Sequence, residues 1–105
     1  MVMNHSIRGH YIPPTFRLEQ NNPNPFYRKT TIRYHIPHRT KVIIMVFNSD
    51  GYILEKYITK DQNAGVYKMD IIFDELPAGT YFYQMITDKF TETRSMDLQK
   101  QIVTN

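Results

Sequence analysis

The sequence predicts an all-β fold, an antiparallel β-sandwich of about seven short strands preceded by an extended N-terminal arm. Two patterns and one absence predict it. Apolar residues alternate with polar ones at a period of two through most of the chain, and turn formers return every ~8–12 residues. No stretch carries the 3.6-residue periodicity of an amphipathic helix. At 105 residues the chain is one domain's worth of protein.

From Met1 to Pro14 the sequence is polar and aperiodic and ends in Pro13-Pro14, a pair that favours extended backbone and is excluded from a helix interior. Residues 1–15 therefore read as an arm, 16–100 as the sandwich and 101–105 as a tail. Phe16 and Leu18 alternate with Arg17 and Glu19 in a short strand. It is broken by Gln20-Asn21-Asn22-Pro23-Asn24-Pro25, a run of residues whose fixed φ and local side-chain hydrogen bonds favour turns. Ile32, Tyr34 and Ile36 alternate with Thr31, Arg33 and His35, and Pro37 ends that strand by removing a ladder donor.

Val42 to Phe47 is apolar on both parities and rich in β-branched residues, which predicts a central strand covered on both faces. Asp50-Gly51 supplies a hairpin turn, with Tyr52 to Ile58 as the return strand. After the turn at Asn63-Ala64-Gly65, Tyr67, Met69, Ile71 and Phe73 share one face. Leu76-Pro77-Ala78-Gly79 makes a corner into Tyr81 to Thr87, and a last strand runs from about Phe90 to Leu98. Tyr81, placed at a strand start after a glycine-containing corner, is where immunoglobulin-like sandwiches use a tyrosine hydroxyl to bond backbone upstream. The fold class is thus immunoglobulin-like.

Composition narrows the chemistry. With no cysteine, the chain has no disulfide, zinc-thiolate or thiol chemistry. The longest apolar run is far shorter than the ~20 residues of a membrane-spanning helix, and no signal-peptide pattern opens the chain. Ser6, Ser49 and Ser95 lie outside any nucleophile elbow. Asp70, Asp74 and Glu75 read as turn and strand carboxylates, and the four glycines are scattered singly rather than grouped in a phosphate loop. His35 and His38 flank Pro37 at a strand end, a spacing that does not set both rings on one face for a metal. No enzyme, cofactor or metal site is expected. Tyr27, Arg28, Lys29, Arg33, Tyr34, His35, His38, Arg39 and Lys41 interleave bases and aromatics as nucleic-acid surfaces do. A solvated strand face with gatekeeping charges is the preferred reading, so nucleic acid is not expected as a partner.

The order of motifs resembles a known family. Leu18 to Phe26, which contains Asn-Pro-Asn-Pro-Phe, is followed by Thr30 to Tyr34, Ile36-Pro37 and the Asp50-Gly51 hairpin, then Leu76 to Tyr83 and Phe90 to Met96. Together they resemble the C-terminal (type A) sorting domain of type IX secretion cargo, related to the immunoglobulin-like domain of the flagellar hook-capping protein. The resemblance implies a domain recognised by outer-membrane secretion machinery. By position it makes Pro23, Asn24, Pro25 and Phe26 a structural loop, Gly79 and Tyr81 the corner, and Met96, Leu98 and Lys100 part of the final recognised strand.

Three departures stand beside that resemblance: no cargo precedes the domain, no export signal opens the chain, and Gln101 to Asn105 continue past Lys100. The leading expectation is accordingly a non-catalytic protein-binding module, a free-standing accessory subunit that docks on a larger assembly. Its contacts are expected at Ile12, Pro13 and Pro14 of the arm and at Arg94, Met96, Leu98 and Lys100 of the edge strand. The alternatives are a sorting signal separated from its cargo and a weak nucleic-acid-binding module. The compartment is left open by the sequence: cytoplasmic is the expectation if the chain is full-length, and cell surface or secreted if it is a fragment of exported cargo.

Overall fold

The computed structural model describes residues 2–4 and 11–100. Their regular structure is entirely β: β1 (Val2–Asn4), β2 (Arg17–Leu18), β3 (Lys29–Ile36), β4 (Ile43–Asn48), β5 (Ile53–Ile58), β6 (Gly65–Ile72), β7 (Gly79–Ile86) and β8 (Thr91–Leu98). They form two four-stranded antiparallel sheets, ordered β1-β6-β3-β2 and β5-β4-β7-β8. Both expectations of the sequence, the all-β class and the two-layer antiparallel architecture, hold.

The period of two builds the core directly. Ile32, Tyr34 and Ile36 of β3 and Tyr67, Met69 and Ile71 of β6 face Val42, Ile44 and Val46 at β4 and Tyr81, Tyr83 and Met85 of β7, all buried. Most are 0% exposed, so each contributes on the order of 1.5–3 kcal/mol by burial. Buried polar groups are paired: the Tyr34 hydroxyl donates to Gln62 Oε1 at 2.7 Å, and its ring stacks on Tyr67 with centroids 5.4 Å apart. Burial pushes the Tyr34 hydroxyl well above the usual phenol range.

Three details differ from the sequence reading. Only Val42, Ile44 and Val46 of the apolar run point into the core, whereas Ile43, Met45 and Phe47 lie half-buried on the outer face. The sandwich has two layers, and among the described residues nothing covers that face as the apolar run predicted. The Asn48–Gly51 hairpin is a type I turn followed by a bulge, in which Gly51 but not Asp50 supplies the positive φ of the Asp-Gly pair. Gly51 N–H closes on Asn48 O at 3.0 Å, Asn48 Oδ1 accepts from Asp50 and Tyr52 N–H, and only Gly51 takes positive φ, at 88°. Finally, Val2–Asn4 of the expected arm is a strand, paired antiparallel with Asp70–Lys68 of β6. This part of the arm is engaged by the chain's own sheet.

Candidate functional site

The motifs that are far apart in sequence meet along the outer edge of β8. In an antiparallel ladder alternate residues aim their N–H and C=O away from the neighbouring strand, and at a sheet edge these groups need partners. In β8 and just beyond it those residues are Thr91, Thr93, Ser95, Asp97 and Gln99. The loop 20–26 bonds the last three of them. Gln20 Nε2 donates to Ser95 O at 2.7 Å, Asp97 N–H donates to Asn24 Oδ1 at 2.9 Å, Phe26 N–H donates to Asp97 O at 2.9 Å, and Gln99 N–H donates to Phe26 O at 2.7 Å. Phe26 thus runs as a single parallel bridge beside Leu98.

The loop that does this is itself held by hydrogen bonds and aromatic packing. Both prolines follow cis peptide bonds, Asn22-Pro23 and Asn24-Pro25. Buried Asn21 donates through Nδ2 to Pro23 O and Thr30 Oγ1, both at 3.1 Å, and Thr30 Oγ1 donates to Pro23 O at 2.7 Å. The Phe26 ring, 1% exposed, lies 5.7 Å from that of Phe73, which meets Tyr81 edge-on at 4.9 Å. Tyr81 in turn donates its hydroxyl to Pro77 O at 2.6 Å, and Gly79 opens the strand with φ 149°. The Asn-Pro-Asn-Pro-Phe loop, the Gly79–Tyr81 corner and the final strand are therefore one packed unit.

A second seam ties β7 and β8 to the segment around β2. Arg94 Nε donates to Leu18 O at 2.6 Å and lies 2.9 Å from Glu92 Oε2, and the Tyr83 hydroxyl donates to Glu19 O at 2.6 Å. Burial raises the Tyr83 hydroxyl, pushed up to about 12. Gln20 and Asn21 were read only as turn formers and Thr30 only as part of a strand motif, because a polar side chain in such a segment is ordinary until the fold buries it.

The expected partner-contact residues divide. Met96 and Leu98 are core residues, 0% and 5% exposed, so their side chains face inward and leave no apolar surface on β8 for a partner. Arg94 is half-exposed but engaged with Leu18, Lys100 is exposed, Ile12 and Pro14 are exposed, and Pro13 is buried. Residues 5–10 of the expected arm and the tail 101–105 lie outside the described residues. Asp50 and Gly51 sit at the β4–β5 hairpin, at the same end of the sandwich as the corner.

The basic segment does not form a continuous phosphate-binding stripe. Arg28 pairs with Asp74 at 2.6 Å, Lys29 with Asp70 at 3.6 Å and Arg39 with Asp61 at 3.8 Å, while Tyr34 is buried and offers no stacking face. His35 Nε2 meets Glu19 Oε2 at 2.6 Å and the His38 ring packs edge-on against Phe16 at 5.2 Å, so the two imidazoles turn to different partners. Among the described residues no group of three or more His, Cys, Asp or Glu is placed to hold a metal, and no helix is long and apolar enough to cross a membrane.

Residues 22–100, which begin in the loop and end just beyond β8, match the family model of the secretion system C-terminal sorting domain. The chain belongs to that family. Its members are type IX sorting domains, and the family is not one of enzymes. Comparison with curated proteins finds no match.

Proposed function

We propose that this domain is a type IX sorting signal, a folded tag that the outer-membrane secretion machinery binds so that the attached polypeptide reaches the cell surface or is secreted. Family membership over residues 22–100 carries the reading. Its physical support is that the residues the resemblance singles out, Pro23 to Phe26, Gly79, Tyr81 and the final strand, pack into one unit at one end and edge of the sandwich. A signal read as a shape requires such a unit, since a short disordered tag would lose ordering entropy on every recognition event. Placing residues 16–100 behind a periplasmically exported reporter should deliver the reporter to the surface of a type IX-competent cell. A reporter retained in the periplasm by a correctly folded fusion refutes the reading.

An accessory docking subunit is the second reading, favoured by Tyr11 and Ile12, 53% and 64% exposed beside buried Pro13. Docking there predicts that Ile12→Asp and Tyr11→Ser together abolish co-purification with a larger assembly while the sandwich stays folded. Unchanged association removes the arm from the argument.

A further inference from the structure

The two long edges of the β5-β4-β7-β8 sheet are treated differently by this chain. On β8 the Ser95 C=O, both outward groups of Asp97 and the Gln99 N–H are taken by Gln20, Asn24 and Phe26, so the loop covers the C-terminal half of that edge and does not bond Thr91 or Thr93. On β5 the ladder runs Ile43↔Ile58, Ile44↔Tyr57, Met45↔Lys56 and Val46↔Glu55, and Thr59 N–H donates to Val42 O at 2.9 Å. Alternation from that bond makes Ile44/Tyr57 and Val46/Glu55 the hydrogen-bonded pairs, so the N–H and C=O of Lys56 and Ile58 point away from β4. Among the described residues no strand, loop or side chain meets them.

The outer face beside this edge is apolar. Cross-strand rows place Ile58, Ile43 and Ile86 together, then Lys56, Met45 and Gln84, then Ile53, Phe47 and Phe82. Phe47 and Phe82 stack with centroids 5.5 Å apart, and Ile53 and Ile58 at the margin are 57% and 58% exposed. Lys56 is the one charge in these rows and forms no ion pair among the described residues. An open strand edge flanked by exposed isoleucines, with a single unpaired cation at its centre, is a template for an added strand.

We infer that β5 accepts an extended peptide segment of another protein, added as a fifth strand to this sheet, with a carboxylate opposite Lys56 and apolar side chains two residues to either side. Main-chain bonds to Lys56 and Ile58 hold the segment, and its apolar side chains widen the Ile58-Ile43-Ile86 and Ile53-Phe47-Phe82 rows. A second copy of this chain fits less well. The two-fold pairings with the longest overlap set either Lys56 or Glu55 opposite its own symmetry mate, and like charges directly opposite destabilise a strand pair. The inference goes beyond the sorting reading and does not rest on it, because it concerns a different edge from the one bonded by the loop 20–26.

The test uses the whole chain and a fluorescein-labelled peptide, Thr-Val-Thr-Glu-Thr-Val-Thr, beside its counterpart with a central lysine, read by fluorescence anisotropy. The glutamate peptide should bind roughly 5- to 10-fold tighter than the lysine peptide, the ratio expected for exchanging an opposite-charge for a like-charge cross-strand pair. Lys56→Glu should invert that preference. Lys56→Pro, which removes an N–H that the fold does not use, should lose both peptides while circular dichroism is unchanged. Equal affinity for the two peptides, no binding of either, or binding that survives Lys56→Pro overturns the inference. So does concentration-dependent dimerisation in sedimentation equilibrium that Lys56→Pro abolishes, which would make the occupant a second copy. None of these outcomes depends on export, so failure here is distinct from failure of the reporter assay.

Discussion

Replacing Phe26 by Ala should destabilise the domain by about 3–5 kcal/mol, and it should do so unevenly. The ring is 1% exposed between the loop 20–26 and the Phe73–Tyr81 aromatic pair. Phenylalanine buries ~150–200 Å² in all; losing most of that at ~25 cal/mol per Å² accounts for about 3 kcal/mol, and the cavity left among stiff aromatic neighbours adds the rest. Domains of this size are stable by ~5–15 kcal/mol, so the variant remains folded under mild conditions. Urea unfolding followed by circular dichroism should show the midpoint lowered by roughly 2 M for a slope of ~2 kcal/mol per M. The unevenness is the sharper test. Asp97 and Gln99 N–H bond only to the loop, through Asn24 Oδ1 and Phe26 O, whereas the strands of the core are bonded to one another. Hydrogen exchange in Phe26→Ala should therefore accelerate at Asp97 and Gln99 well beyond the acceleration at Ile44 or Met85. A loss below ~1 kcal/mol, or an equal acceleration everywhere, would refute the idea that Phe26 pins the loop to β8.

Removing the Tyr81 hydroxyl with Tyr81→Phe leaves the ring packing against Phe73 and should cost about 0.5–1.5 kcal/mol in thermal or urea unfolding; no change would mean that the 2.6 Å bond to Pro77 O contributes nothing net. Gly51→Ala should cost about 1–2 kcal/mol although space around Gly51 is open, because φ 88° is unfavourable for any residue with a Cβ; a neutral result by the same measurement would show that the turn relaxes. Stability should fall in alkali. Tyr83 is raised from the ordinary 10.0 to about 12 by burial, so the unfolded chain loses this proton first and the contribution is complete below about pH 10 and lost as pH rises towards about 12. Phenolate absorbance titrated alongside circular dichroism should show some tyrosines ionising only as the fold is lost; normal titration of every tyrosine in the folded protein would contradict the burial.

Much of this molecule was legible in the sequence because sheets write their faces into alternate residues. Ile32, Tyr34, Ile36, Tyr67, Met69 and Ile71 needed only parity to be assigned to the core, and Asp50-Gly51 and Leu76 to Gly79 needed only turn chemistry. The same parity rule failed at Val42 to Phe47. An apolar residue on the second face signals burial by something, and sequence cannot say whether the chain itself supplies that cover.

The sequence by itself determined the strand count within one short strand, the two-sheet class, the corner and the family, all of which depend on local pattern and motif order. Tertiary structure alone decided which edge groups are open. Met96 and Leu98 read as a strand to be presented, yet whether β8 is presented depends on the partners of its outward backbone groups, and these lie about 70 residues away in the loop 20–26. Such pairings are set by how two sheets stack, and no local pattern at either end encodes them. For the same reason the unpaired groups at Lys56 and Ile58 become visible only when the strand order and the register of β4 with β5 are known.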